Sequence, residues 1–140
     1  MNAQGEDILA FLDRAITARE HKATEAAHEH GADWYYDDGF VLGRREDDMV
    51  ATGSQDFLER QQGAHIALND PASVLRRCAA DRKLLTLHRP QQTGAGFPDI
   101  QECRTCSADS LGDGYQYLMP APCPSLLALA EGYGWTEGER

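Results

Sequence analysis

The segment Cys103-Arg104-Thr105-Cys106 sets two thiols two residues apart, with Cys123 seventeen residues beyond the pair and His88 fifteen residues before it. A C-x-x-C pair can aim both sulfurs at one ion, because the backbone between them is free to turn. Structural zinc takes four such donors, sulfur or imidazole, in a tetrahedron. Cys103, Cys106 and Cys123 supply three. His88 is the expected fourth, because it falls where a helix should end and the chain turn toward the cysteines. Cys78 and His65 are the other candidates. Cys78 lies ten residues before His88, nearly three turns up the same helix, which suits a small buried core residue. His65 lies near the end of a different helix, where it could pack at the Asp70-Pro71 corner. Cys123 stands between two prolines at a helix start, where the helix dipole favours a thiolate. Four protein ligands leave no open coordination position, so Zn2+ is expected to clasp the fold and not to activate water. With three ligands a position would remain open for catalysis, and three unliganded thiols are the alternative to the whole set.

Other chemistry has weaker residues to stand on. A thioredoxin-like C-x-x-C should follow a strand and open a helix in a βαβ setting, whereas Cys103 and Cys106 are flanked by loop-forming polar residues. The sequence has no Gly-x-Ser-x-Gly, no phosphate-cradling Gly-rich loop and no His-Glu-x-x-His. No catalytic residue and no organic cofactor site is therefore predicted, and the protein is not expected to be an enzyme. His21 and His28 lie two turns apart on one helical face, and an exposed polar face is preferred to a metal site there. Asp37, Asp38, Asp47 and Asp48 could hold a hard cation, but charged hairpin turns have the same composition. Trp34, Tyr35 and Tyr36 could form a ligand platform; core and edge cover is the commoner use of such a cluster.

These residues need an α+β frame, mainly helical, with about four helices and a small antiparallel meander, all in one domain spanning 1–140. Residues 6–29 read as an amphipathic helix with Ile8, Leu9, Leu12, Ala15, Ile16 and Arg19 at helical spacing. Its second half, from His21, loses the large apolar residues and relies on Ala, Glu and Lys. Residues 33–53 change to three short strands, Trp34-Tyr35-Tyr36, Phe40 to Gly43 and Met49 to Thr52, with Asp38-Gly39 as a tight hairpin turn. A helical pair follows over 54–88. Ser54 is the expected N-cap of its first member, and Gly63 a weak point within it. Asp70-Pro71 is the expected start of the second, with Val74, Leu75, Cys78, Leu84, Leu85 and Leu87 inward and Arg76, Arg77, Asp81, Arg82 and Lys83 outward. Pro90 ends it. Residues 89–124 form a metal-binding loop, with Gln91 to Pro98 lacking periodicity and Tyr115 to Met119 an extended piece. Residues 125–131 make a short helix. In the tail, 132–140, Tyr133 and Trp135 can pack back while the last residues are loose.

The net charge is −10 and unevenly spread. Residues 1–62 carry 14 acidic and 6 basic side chains, and residues 63–100 carry 3 acidic and 5 basic. Nucleic-acid binding needs an electropositive face to displace counterions, and only Arg76, Arg77, Arg82, Lys83 and Arg89 could supply one. An acidic chain more readily meets a basic protein surface. No apolar run approaches the ~20 residues of a membrane span, and the first residues lack the pattern of a signal peptide. A cytoplasmic protein with reduced thiols is expected.

The block His65-Ile66-Ala67-Leu68-Asn69-Asp70-Pro71-Ala72-Ser73-Val74-Leu75, its continuation to Lys83-Leu84-Leu85, the C-x-x-C pair and Pro122-Cys123-Pro124-Ser125-Leu126-Leu127-Ala128-Leu129-Ala130 together carry a resemblance. So do the start Ile8-Leu9-Ala10-Phe11-Leu12 and the Trp-containing hairpin. With these blocks the chain resembles a family of small actinobacterial and actinophage proteins that contain a domain of unknown function. Members continue into a Pro-Tyr-Ala-Asp-His-Pro-like ending, where this chain has Glu131-Gly132-Tyr133-Gly134-Trp135. The resemblance implies the same architecture and a phage or prophage setting, hence a host cytoplasm, and brings no activity with it. The expected function is a small zinc-stabilised protein-interaction protein, an acidic modulator or inhibitor of a host protein with a basic surface. A zinc-ribbon-like nucleic-acid-binding module and a metal-dependent enzyme are the alternatives.

Overall fold

The computed structural model describes residues 3–92, 100–109 and 116–136, with the side chains of 3–6, 108–109 and 116–117 left aside. Its helices are α1 (Ala3–His30), α2 (Arg60–Leu68), α3 (Pro71–Leu87) and α4 (Pro124–Gly132). The strands are β1 (Trp34–Asp37), β2 (Phe40–Gly43), β3 (Asp48–Thr52), β4 (Pro90–Gln92), β5 (Gln101–Cys103), β6 (Ala108–Asp109) and β7 (Gln116–Tyr117). The mainly helical α+β class expected from the sequence is what forms, with a three-stranded and two two-stranded antiparallel sheets among the described residues. Contacts gather in two compact units, one of residues 1–16 with 80–140 and the other of residues 17–79.

Within the unit of residues 17–79, β1, β2 and β3 form the antiparallel meander, with Trp34 opposite Gly43 and Phe40 opposite both Asp37 and Thr52. The first turn works because Asp38 (φ 38°) and Gly39 (φ 95°) both take left-handed backbone, the condition for a tight hairpin that follows strand twist. Tyr36 ties this sheet to the chain that follows. Its hydroxyl donates to Leu58 O at 2.9 Å and accepts from Gly39 N at 3.0 Å. Gly63 of α2, expected to weaken its helix, has a positive role: a Cβ there would overlap the Tyr36 ring. The start of α2 differs from expectation. Ser54 is not its N-cap but begins a 3₁₀ turn, Ser54–Asp56, in which Gln55 and Asp56 take φ of 59° and 57°, so the α-helix starts only at Arg60.

At the Asp70-Pro71 corner the expected cap is present. Asp70 Oδ1 accepts from Ser73 N at 2.8 Å and Oδ2 from Trp34 N at 3.0 Å, so one buried carboxylate serves both a helix start and a strand start. Burial opposes its ionisation, but these bonds outweigh it and hold Asp70 below its usual range.

In the unit of residues 1–16 and 80–140, Ile8 and Leu12 of α1 meet Leu126 and Ala130 of α4, together with Cys103 and Cys123. Leu85, Leu129, Tyr133 and Trp135 pack around this core. The aromatic tail folds back as expected: Phe11 and Trp135 make an edge-on pair with centroids 5.1 Å apart, and Tyr133 donates to Asp81 Oδ2 at 2.5 Å. That bond changes the reading of α3. Asp81, expected in solvent, is 1% exposed, while Leu84 and Leu87, expected inside, are 38% and 53% exposed. The expected loop is also partly wrong. Gln91 and Gln92 belong to β4, which pairs with β5 in the register Pro90–Cys103, whereas the rest of the stretch to Pro98 lies outside the described residues. Of the expected extended piece, Gln116 and Tyr117 form β7 against β6, and Tyr115 lies outside the described residues, as does the tail beyond Thr136.

Candidate metal centre

Four chain segments deliver the four donors. His88 follows the last turn of α3, its amide still bonded to Leu84 O at 3.0 Å. Cys103 closes β5, held by β4 on one side and by a 2.8 Å bond from its own amide to Met119 O on the other. The chain then turns tightly: Ser107 N donates to Cys103 O at 3.1 Å, and this turn swings Cys106 beside Cys103. Thr105 Oγ1 donates to Leu87 O and Arg104 N to Arg89 O at 3.1 Å, tying the turn to the end of α3. Cys123 is the N-cap position of α4, with extended backbone (φ −77°, ψ 164°) and Pro124 as the first helical residue.

The result is a closed cluster. Nδ1 of His88 stands 3.4 Å from the Sγ of Cys103, of Cys106 and of Cys123 alike. All four donor atoms lie within 4.8 Å of one another. One imidazole N–H can serve one sulfur well, so equal distances to three sulfurs do not describe ordinary hydrogen bonding. They are compatible with a tetrahedron. Bonds of ~2.3 Å to sulfur and ~2.05 Å to nitrogen place N and S about 3.5 Å apart around a common ion. The donor set could therefore hold a metal ion, and Cys103 and Cys123 are fully buried around it.

The electrostatics agree. Burial works against ionisation of Cys103, but amide donation from Cys106 and Thr105 and hydrogen bonds from His88 and Cys123 outweigh it, lowering the thiol to about 7. Burial raises Cys106, and the adjacent Cys103 and Cys123 sulfurs raise it further, to about 11. Crowded thiols resist sharing negative charge until a cation compensates it.

Of the expected ligands, His88, Cys103, Cys106 and Cys123 are brought together. Cys78 is a buried core residue of α3, and His65 lies exposed on α2; neither joins the cluster. Among the described residues no other group of metal-ligating side chains forms. His21 pairs with Glu25 at 3.2 Å on the surface of α1, and His30 lies 3.5 Å from Asp48. Tyr35 donates to Asp47 at 2.6 Å and stacks under Arg44, so the meander's aromatic and acidic residues serve one another. Sequence reasoning missed the β4–β5 strand pair that holds Cys103. Pro90, Gln91 and Gln92 carry no apolar alternation that could have signalled it.

Among the described residues no helix is long and apolar enough to cross a membrane. No curated protein and no solved structure matches the chain. A family model does, over residues 5–134. The chain thus belongs to the Family of unknown function (DUF6221).

Proposed function

We propose that this is a small zinc-stabilised protein-interaction protein, phage or prophage encoded, in which the metal holds the fold and the acidic N-terminal half meets a basic surface of a host protein. The observation that carries the reading is the equal 3.4 Å spacing of His88 Nδ1 from three cysteine sulfurs. Sulfur-rich tetrahedral donor sets favour zinc, and four protein ligands fill its coordination sphere. A filled sphere stabilises and has no position left to activate water. The work of the protein then falls to its surface, and the excess of 14 acidic over 6 basic side chains in residues 1–62 supports a basic partner. The host cytoplasm is the compartment that goes with this reading.

The test is a pull-down with the zinc-loaded chain from host lysate, treated with nuclease, at low and at moderate salt. A basic protein retained at low salt and weakened at moderate salt is expected. Recovery of no partner at either salt would overturn the interaction reading. Nucleic-acid binding by the basic residues of α3 is the weaker alternative, since Arg82 lies 3.1 Å from Asp13 and is partly neutralised by it. A clear mobility shift of DNA or RNA at moderate salt, abolished by Arg76→Glu with Arg82→Glu, would reverse that order.

A further inference from the structure

The second half of α1 gives up its large apolar residues just where the chain of residues 17–79 has a tryptophan to cover. Arg19, Lys22, Ala23 and Ala26 recur at i, i+3, i+4 and i+7, so they share one helical face. These four residues form one side of a cleft of about 340 Å³ whose other lining residues are Trp34, Asn69, Pro71 and Val74. The small side chains of Ala23 and Ala26 are what leave the space. A Leu or Met at either position would fill it.

The lining divides by chemistry. Ala23, Ala26, Trp34, Pro71 and Val74 are apolar, whereas Arg19 and Lys22 bring two cations to the same face. The neighbouring Asp70 carboxylate is turned to the amides of Trp34 and Ser73. Trp34 is fixed in place, because its indole N–H donates to Gly31 O at 2.9 Å. A held indole offers a flat face for stacking at little entropic cost. The volume lies at the lower end of the range of small-molecule sites.

We propose that this cleft is a binding site for a small amphipathic anion: a flat apolar body against Trp34 and Pro71, with a carboxylate or phosphate reaching Lys22 and Arg19. The site shares no residue with the metal centre, and its occupancy does not depend on the identity of the macromolecular partner.

The experiment is an NMR titration of the ¹⁵N-labelled, zinc-loaded full chain with 2-naphthoate and with its neutral counterpart 2-naphthamide. The two indole resonances are assigned with Trp135→Phe. Naphthoate is expected to shift the Trp34 indole saturably below roughly 1 mM, a range typical of a probe that fits without being optimised. Lys22→Glu is expected to weaken it by about tenfold, and naphthamide to bind more weakly than naphthoate. Ala26→Leu should abolish the shift by occupying the space; Lys22→Glu, a change at the surface, keeps the test valid if that variant folds poorly. Absence of a saturable Trp34 shift, equal binding of naphthamide, or unchanged binding in Lys22→Glu would each overturn the proposal.

Discussion

Gly63 of α2 lies so close to the ring of Tyr36 that a Cβ at position 63 would share its space. The same tyrosine donates to Leu58 O and accepts from Gly39 N, so its ring cannot withdraw without breaking both bonds. Gly63→Ala is therefore expected to destabilise the protein by about 1–3 kcal/mol, despite the better helix propensity of alanine. Urea denaturation of the variant, and of Gly63→Ala combined with Tyr36→Ala, checks this. The double variant should recover part of the Gly63→Ala loss, and simple additivity would refute the clash.

Removing the metal centre should cost more than any single core truncation. The purified chain is expected to carry close to one zinc, and His88→Ala, Cys103→Ser, Cys106→Ser and Cys123→Ser should each lose it. Thermal midpoints should fall by roughly 10 °C or more, as they should on chelation. Elemental analysis with calorimetry decides the matter. Zinc retained at full stoichiometry by His88→Ala would remove His88 from the ligand set.

Metal affinity should rise with pH. Amide and side-chain hydrogen bonds lower Cys103 to about 7 against the effect of burial, whereas burial and the neighbouring sulfurs raise Cys106 to about 11. Metal binding by thiolates must expel the protons that these thiols still hold, so acidification opposes binding. Competition with a chromophoric chelator between pH 6 and pH 8 (a range chosen to bracket ~7) should show affinity climbing throughout. A flat profile would contradict thiolate ligation.

Asp70 gives a different pH dependence. Its folded pKa lies below the unfolded one, so its contribution to stability is present above the unfolded value, about 3.9, and is lost as pH falls through the folded value. Asp70→Ala should cost about 1–2 kcal/mol at neutral pH through loss of the cap. The cost should shrink toward pH 3, a point below the ~3.9 reference. Denaturant melts at both ends of that range provide the check, and a cost independent of pH would show that the carboxylate's charge is not what matters.

Much of this arrangement was legible in the residues. Asp38-Gly39 announces its hairpin, Asp70-Pro71 its helix start, and His88, Cys103, Cys106 and Cys123 the cluster they form. The face of α3 was not legible. Leu84, Leu85 and Leu87 fall within four positions and cannot share one face of a helix. Burial instead follows Cys78, Asp81 and Leu85, at spacings of three and four that continue to His88. On that face Asp81 accepts a hydrogen bond from Tyr133, 52 residues away, a contact that no local pattern contains. The onset of α2 was missed for the opposite reason. Ser54 has the chemistry of a cap, but Gln55 and Asp56 adopt left-handed backbone that their side chains do not foretell.

The division of contacts has a consequence for synthesis on the ribosome. Residues 17–79 form one unit that lies, in chain order, inside the other, whose two parts are residues 1–16 and 80–140. The inner unit has all its own residues as soon as the chain has passed position 79. Ile8, Phe11 and Leu12 must wait much longer, because Leu126, Ala130 and Trp135 are made more than a hundred residues after them. Residues made late thus complete the surroundings of residues made early, and until Cys123 has been made the donor set lacks its fourth member. Contacts so distant in sequence are slow to form, and until they do the apolar stripe of α1 stays without its partners.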